Sequence, residues 1–223
     1  MDNLILSNKY TPQSKEEFAY ETIKEAILSG DLAPNQMISL SDLARNLGVS
    51  IIPVNHAIRR LNSEGLVRQD PHHSPYVEEF SSEAIVDILS IRYCLEELAM
   101  KESIPHILAE EIQELRILKA RMDEKIREKD MHAYGIANRN FHMKIYSFCP
   151  NKVLYDLIDD LWNKAELNRS RSVFVLVANM AEHSQKDHEI LLDLIEQKKV
   201  DEAIQFLNKH REYSRQKLLE ALR

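Results

Sequence analysis

Three histidines of this chain each lie on an apolar helix face, where an imidazole nitrogen could be offered to a metal ion. The stretch "ANRNFHMKIYSFC" places His142 one helical turn after Asn138, on the same face. The stretch "HEILLDLI" aligns His188 with apolar residues, and "FLNKHREYS" does the same for His210. These spacings predict that Asn138, His142, His188 and His210 face the interior of a helical domain.

Imidazoles that project inward from facing helices form a recognised kind of metal site, and their neutral nitrogens suit Zn²⁺, Ni²⁺ or a similar divalent transition metal. A lone histidine on an apolar face is more often a core residue whose nitrogens are hydrogen-bonded. Three histidines on three separate helices, with a side-chain oxygen one turn before the first, favour the metal site.

Long amphipathic helices must position these residues, and they begin after Ser82. The predicted helices cover 83–103, 107–129, 131–149, 152–176, 179–197 and 200–222. No strand pattern interrupts them, so residues 83–223 are predicted to form an antiparallel helical bundle. Within it, Arg92 lies one turn before Glu96, which indicates either an ion pair or an effector contact. Arg169 either binds an effector carboxylate or is simply solvated.

A second stretch, "GVSIIPVNHAIRRLNSEGLV", has the pattern of a helix that enters a DNA groove. Its apolar residues recur at helical spacing and leave Ile51, Ile52, Asn55 and Arg59 exposed. An asparagine can read adenine, and an arginine can contact phosphates, for which Arg60 is a further candidate. The alternative is a helical packing unit that never meets DNA.

The elements around this helix are those of a winged helix-turn-helix. A helix is predicted from Glu16 to a C-cap at Gly30, a second between caps at Ser39 and Gly48, and the third from an N-cap at Ser50. Then "LVRQDPHHSPYVEE" predicts a small β-hairpin. We therefore predict a mainly α protein, with a flexible arm over 1–15 and a winged helix-turn-helix domain over 16–79.

Composition limits the function classes. The 223 residues carry a net charge of −7 and only two cysteines, which suits a reducing cytoplasm and excludes a disulfide scaffold. No apolar run approaches 18 residues, so no membrane span is expected. The acidity argues against non-specific nucleic-acid binding. However, residues 45–69 carry four arginines against one glutamate, so positive charge is concentrated around the third helix.

The stretch "AILSGDLAPNQMISLSDLARNLGVSIIPVNHAIRRLNSEGLV" resembles the N-terminal domain of GntR-family transcriptional regulators. The departures fall on DNA-facing positions. Ile51-Ile52 stand where the family has Arg-Thr, Asn55-His56 where it has Arg-Glu, and His73-Ser74 where it has Arg-Gly at the wing tip. The resemblance implies DNA contacts by Ser41, Ser50, Ile51, Ile52, Asn55, Arg59, His73 and Ser74. Either the isoleucines contact thymine methyls at an A·T-leaning operator, or DNA affinity is weak.

The bundle resembles the FCD-type ligand-binding domain of the FadR-like branch of that family. The matching segments are "RYCLEELA", "NRNFHMKIYSFCPNKVL" and "HEILLDLIEQKKVDEAIQFLNKH". The resemblance implies a divalent metal held by Asn138, His142, His188 and His210, and a small carboxylate effector beside it. The family has Asp where this chain has Asn138, and an uncharged amide should lower the affinity for the metal.

These observations predict a transcriptional regulator whose binding to a palindromic operator in double-stranded DNA is modulated by a small organic acid. It is expected to be a cytoplasmic, nucleoid-associated homodimer and not an enzyme. Two alternatives remain open. A histidine-rich metal site could activate water in a hydrolase-like enzyme, although no H-E-x-x-H spacing accompanies it. The chain could also be a degenerate regulator that has lost specific DNA binding.

Overall fold

A computed structural model describes residues 14–70, 73–79, 81–166 and 173–221. The chain divides into two compact units, Met1–Glu78 and Glu79–Arg223. The arm predicted over 1–15 lies almost entirely outside the described residues. None of the described helices is long and apolar enough to cross a membrane.

The first unit contains three helices and a two-stranded antiparallel sheet. Their bounds are α1 Lys15–Ser29, α2 Leu40–Leu47, α3 Ile51–Ser63, β1 Val67–Arg68 and β2 Tyr76–Val77. Val67 pairs with Val77, and Arg68 pairs with Tyr76. Helix α3 packs against both α1 and α2, which gives the predicted helix-turn-helix followed by a hairpin wing.

Local sequence signals set these bounds. Gly30 and Gly48 adopt the left-handed conformation that ends α1 and α2, with φ of 88° and 65°. The Ser39 hydroxyl accepts a hydrogen bond from the Asp42 amide and caps α2. Ser50 occupies the N-cap position of α3 as predicted, but its side chain makes no capping hydrogen bond.

The second unit is all helical. Its helices are α4 Ser82–Ser103, α5 Ala109–Glu128, α6 Met131–Tyr146, α7 Lys152–Glu166, α8 Val173–Leu176, α9 Met180–Glu196 and α10 Val200–Ala221. A 3₁₀ turn over Ile104–His106 follows α4. The core is formed by large buried side chains that include Tyr134, Phe141 and Tyr146. Helices α6, α9 and α10, which carry the three histidines, border this core.

One predicted helix of this unit needs correction. The periodicity over 152–176 predicted a single helix and six helices in all, whereas the described residues contain seven. Helix α8 is a separate element because it packs against α6, α9 and α10, while α7 packs against α4 and α6. The physical reason is an edge-on contact between Phe174 and Tyr134, whose ring centroids are 4.8 Å apart.

Candidate metal centre and DNA-contacting helix

The three predicted histidines meet inside the second unit. His142 lies on α6, His188 on α9 and His210 on α10, and all three are buried. One nitrogen of each lies within 4.8 Å of the corresponding nitrogens of the others. Three neutral imidazoles at this separation can donate lone pairs to one divalent ion. Their role as metal ligands stays a prediction.

Hydrogen bonds to the outer ring nitrogens orient two of these imidazoles. His210 Nδ1 lies 2.8 Å from Asp187 Oδ2, and His188 Nδ1 lies 3.3 Å from Gln185 Oε1. An Nδ1–H that donates to these oxygens leaves Nε2 with its lone pair free. His142 Nε2 lies 3.2 Å from His188 Nε2, so one of these two nitrogens carries the proton that a metal ion would displace.

Burial keeps His142 and His188 uncharged. It lowers the pKa of His142 well below the ordinary value, and the nearby His210, Arg92 and Arg211 lower it further. Burial likewise lowers the pKa of His188, with smaller contributions from His142 and His210. Because the charged forms are disfavoured, both imidazoles are neutral at pH 7, so a metal ion would displace only the proton shared between His142 Nε2 and His188 Nε2.

Asn138 lies on α6 one turn before His142 and is also buried. Its Oδ1 atom has no hydrogen-bond partner in the described part of the chain, which is costly for a buried amide oxygen. Asn138, His142 and His210 line the same cavity. A coordinated cation would satisfy this oxygen, so the donor set of one oxygen and three nitrogens fits a divalent transition metal.

The cavity beside the histidines has a volume of about 160 Å³. Its wall carries two buried arginines, Arg92 from α4 and Arg211 from α10. The predicted one-turn pair exists, since Arg92 Nε lies 3.1 Å from Glu96 Oε1. Arg211 Nη1 lies 3.0 Å from the other oxygen of Glu96, so two guanidinium groups share one carboxylate.

Sequence reasoning missed Arg211 and Asp187, each of which directly neighbours a predicted ligand in the chain. Adjacent residues on a helix point in directions about 100° apart, so neither was expected at the site. Both still belong to the site, because Arg211 lines the cavity and Asp187 lies within hydrogen-bond distance of His210 Nδ1. Arg169, the other predicted effector residue, lies outside the described residues.

Helix α3 presents an apolar surface at its N-terminus. Ile51 and Ile52 are 46% and 64% exposed, unusual for isoleucines in a small domain. Arg59 is exposed and forms no ion pair with any described residue, so its charge is available. Asn55 is half-buried, and its Nδ2 donates to the Ile51 carbonyl at 3.2 Å. This bond uses one of the two Nδ2 hydrogens and leaves the other hydrogen and Oδ1 for a base edge.

Arg60, the further candidate for a phosphate contact, makes several contacts within the domain. Its guanidinium stacks over the Tyr20 ring, with Cζ 3.5 Å from the ring centroid. It also pairs with Glu17 and Glu64 at 3.0 and 3.4 Å. The contacts with Tyr20 and Glu17 fasten α3 to α1, so Arg60 contributes to packing, and its contact with phosphates stays a prediction. At the edges of this surface, Ser41, Ser50, His73 and Ser74 are exposed.

Two family models match the chain. The model for bacterial regulatory proteins of the gntR family matches residues 15–77, and the FCD domain model matches residues 87–213. Among curated proteins, the transcriptional regulator McbR of Escherichia coli is 29% identical over 140 residues. The regulator YdhC of Bacillus subtilis is 30% identical over 146 residues. Each match spans 63% of this chain and 63% of that regulator.

Solved structures show the same fold. The chain superposes on E. coli McbR/YncC with a TM-score of 0.83 at 23% identity, covering 94% of this chain and 99% of that one. A GntR regulator from Rhodococcus gives a TM-score of 0.77 at 21% identity, with the same coverage. The FCD match alone covers more than half of the sequence and the GntR match covers the first unit. The chain therefore belongs to the GntR family of bacterial regulatory proteins and carries an FCD domain.

Proposed function

We propose that this protein is a transcriptional regulator whose DNA binding responds to an organic acid bound beside a metal ion in the FCD domain. The observation that carries the effector part of the proposal is the cavity lined both by His142, His210 and Asn138 and by Arg92 and Arg211. A metal-ligating set next to guanidinium groups suits a carboxylate. The named relatives, which are transcriptional regulators, support the DNA-binding part.

The metal would be held by His142, His188 and His210, with Asn138 Oδ1 as a fourth ligand. A bound divalent ion would supply positive charge and Lewis acidity towards an effector oxygen. The protein contributes the orientation of the imidazoles through Asp187 and Gln185. Binding of the effector would then bias how α4, α6 and α10 pack, since all three helices line the cavity.

The proposal includes a homodimer, because a two-fold assembly presents two winged units to a palindromic operator. Helix α4 carries an apolar stripe at coiled-coil spacing over Ile88, Ile91, Leu95 and Leu98. Ile91 is 56% exposed and Leu98 is 43% exposed, although the residues of the adjacent face are buried. A second copy of the same helix is the partner that matches such a stripe, since a C2 interface is self-complementary.

Ile51 and Ile52 would provide the sequence preference of α3. An exposed apolar side chain at the start of a recognition helix can contact the thymine methyl group in the major groove. Neither position carries an arginine that could read guanine through hydrogen bonds. The operator half-site is therefore proposed to be rich in A·T pairs where α3 enters the groove.

A gel-shift series tests the whole proposal. The protein, loaded with Zn²⁺ or stripped with a chelator, is mixed with DNA from its own promoter region at low salt. A shifted band that footprints to a palindrome, and that changes with added organic acids only in the Zn²⁺-loaded protein, is the expected result. Absence of any shift in every condition would contradict DNA regulation and leave the degenerate regulator as the better description.

Replacing Arg59 with alanine is expected to weaken DNA binding equally for all sequences. In a dimer the change removes two phosphate contacts, so the slope of log K against log salt should become shallower by about 2. Arg121→Ala removes the same charge from an exposed position of the FCD domain and serves as the control. An unchanged salt slope in Arg59→Ala would show that this arginine does not face the DNA.

Replacing Asp187 with asparagine is expected to lower the affinity for Zn²⁺ by about 10–100-fold, as observed when outer partners of metal-bound histidines are changed. The amide can still accept a hydrogen bond from His210 Nδ1, but the negative charge behind the imidazole is lost. Competition with a chromophoric chelator measures the affinity. Asp193→Asn, on the exposed side of the same helix, is the matched control. Equal effects of the two changes would refute a positioning role for Asp187.

A further inference from the structure

We propose that the cavity of the FCD domain selects an organic dianion over a monoanion of the same size. The inference rests on the proposed function, in which the histidine site holds a divalent metal ion. The cavity brings together two things: buried arginines with too few carboxylates to balance them, and a set of predicted metal ligands that lacks a carboxylate. Each contribution to that charge comes from a named residue.

The arginine side of the cavity carries one uncompensated positive charge. Arg92 and Arg211 are both buried, and Glu96, buried as well, is the only described carboxylate that pairs with either of them. Arg215, at the cavity edge, is neutralised by a two-point contact with Glu212, at 2.8 Å for each bond. Burying an unpaired charge costs free energy, so an anion bound beside these arginines would be stabilised.

Arg92 is the group that would receive that anion. It is only 6% exposed, and its Nε lies close to Glu96 in a geometry that makes no hydrogen bond. Its guanidinium plane rests against the Trp162 ring, with Cζ 3.7 Å from the ring centroid. No hydrogen bond from Arg92 to any described side chain is present. A planar fork that stacking holds in place, and whose terminal nitrogens donate to no described side chain, is suited to a carboxylate or phosphate.

The metal side adds to the excess because all four predicted ligands are uncharged. Asn138 is an amide, and the imidazoles are neutral donors, so a bound divalent ion keeps both of its charges. Asp187, hydrogen-bonded to His210 Nδ1, is the one carboxylate in contact with this set and offsets one charge. Together with the arginine side, two positive charges remain for the occupant to neutralise.

The space fits a small molecule. The cavity volume of about 160 Å³ is close to that of a cavity able to hold benzene, about 150 Å³. Apolar side chains that include Leu89, Phe174 and Leu218 complete its wall. A short carbon chain with two negative charges therefore suits it. Either a dicarboxylate or a phosphate monoester meets this description.

Isothermal titration calorimetry of the full-length, Zn²⁺-loaded protein tests the inference with three probes of similar size. Succinate and propyl phosphate carry two charges at pH 8, whereas butyrate carries one. The dianions are expected to bind at least about tenfold more tightly than butyrate. Comparing succinate with propyl phosphate then identifies which kind of dianion the site prefers. Equal affinity for succinate, propyl phosphate and butyrate would overturn the proposal.

A single substitution changes the charge count without changing shape. Asn138→Asp places one negative charge among the ligands, so the preference for succinate over butyrate is expected to shrink by about tenfold or more. The variant should also bind Zn²⁺ more tightly, because a carboxylate is the stronger ligand. Asn140→Asp makes the same change at an exposed position of α6 and should leave the preference intact.

The two proposals fail in different ways. If neither the native protein nor Asn138→Asp retains Zn²⁺, the metal site of the proposed function is wrong. If both retain Zn²⁺ and bind anions but the succinate-to-butyrate ratio is the same in both, the dianion inference alone is wrong. Thermal unfolding with each probe provides a second readout that does not depend on DNA binding.

Discussion

Replacing His188 with alanine or with glutamine is expected to lower the affinity for Zn²⁺ by more than about 100-fold. His188 is fully buried, and its Nε2 lies 3.2 Å from that of His142, at the centre of the cluster. Changes to partners outside a ligand shell already cost about 10–100-fold, so loss of a ligand should cost more. Glutamine keeps most of the volume and guards against a variant that fails to fold.

Chelator competition gives the affinity, and far-UV circular dichroism confirms that the variants are folded. Free Zn²⁺ at 100 times its Kd should stabilise the native protein by about 2.7 kcal/mol, whereas the His188 variants should gain less than about 0.4 kcal/mol at that concentration. His106→Ala, in the exposed turn after α4, is the control for loss of a histidine. Native affinity in His188→Gln would exclude the three-histidine site.

Replacing Glu96 with glutamine should destabilise the FCD domain by about 3–5 kcal/mol. The carboxylate neutralises Arg92 and Arg211 in the interior, at 3.1 and 3.0 Å. Glutamine has nearly the same shape, so packing is kept while two buried guanidinium groups lose their counter-ion. The penalty should decrease in the presence of succinate, which would supply negative charge to the same arginines.

Trp162 is the only tryptophan of the chain and belongs to this domain, so its fluorescence during urea unfolding reports on the FCD domain alone. Glu114→Gln is the matched control, because Glu114 pairs with Lys144 at an exposed position. An exposed pair contributes about 0–1 kcal/mol. If Glu96→Gln costs no more than this control, the buried arginines are not balanced by Glu96.

Much of the fold follows from the sequence because short-range signals determine it. Ser39 begins α2, and Gly30 and Gly48 end α1 and α2, each at the predicted residue. The predicted hairpin is present, with β1 paired to β2. Helix bounds in the FCD domain differ by a few residues at most, except over 152–176. There the periodicity of the sequence continues, but the contact of Phe174 with Tyr134 depends on tertiary packing that no local pattern contains.

The candidate site could be predicted only as far as the buried face of each helix can be recognised from the sequence. The apolar face of each helix predicted that His142, His188 and His210 lie inside the domain. Whether the three imidazoles meet depends on how α6, α9 and α10 pack, which the sequence pattern does not contain. The predicted ion pair of Arg92 with Glu96 is present, whereas the sharing of Glu96 with Arg211 involves residues 115 positions apart. The stacking of Arg60 on Tyr20 likewise could not be inferred from α3 alone.

Different residues of α3 form its packed face and its exposed N-terminal surface, and this separation has an evolutionary consequence. The scaffold positions Val54, Ala57, Ile58 and Leu61 are buried, and Arg60 fastens the helix to α1, while Ile51 and Ile52 contribute almost nothing to the interior. Exposed substitutions of this kind usually change stability by no more than about 0.5 kcal/mol. If Ile51 and Ile52 read the operator as proposed, one copy of a duplicated gene could acquire a new operator by substitutions at these two positions while the domain stays folded throughout.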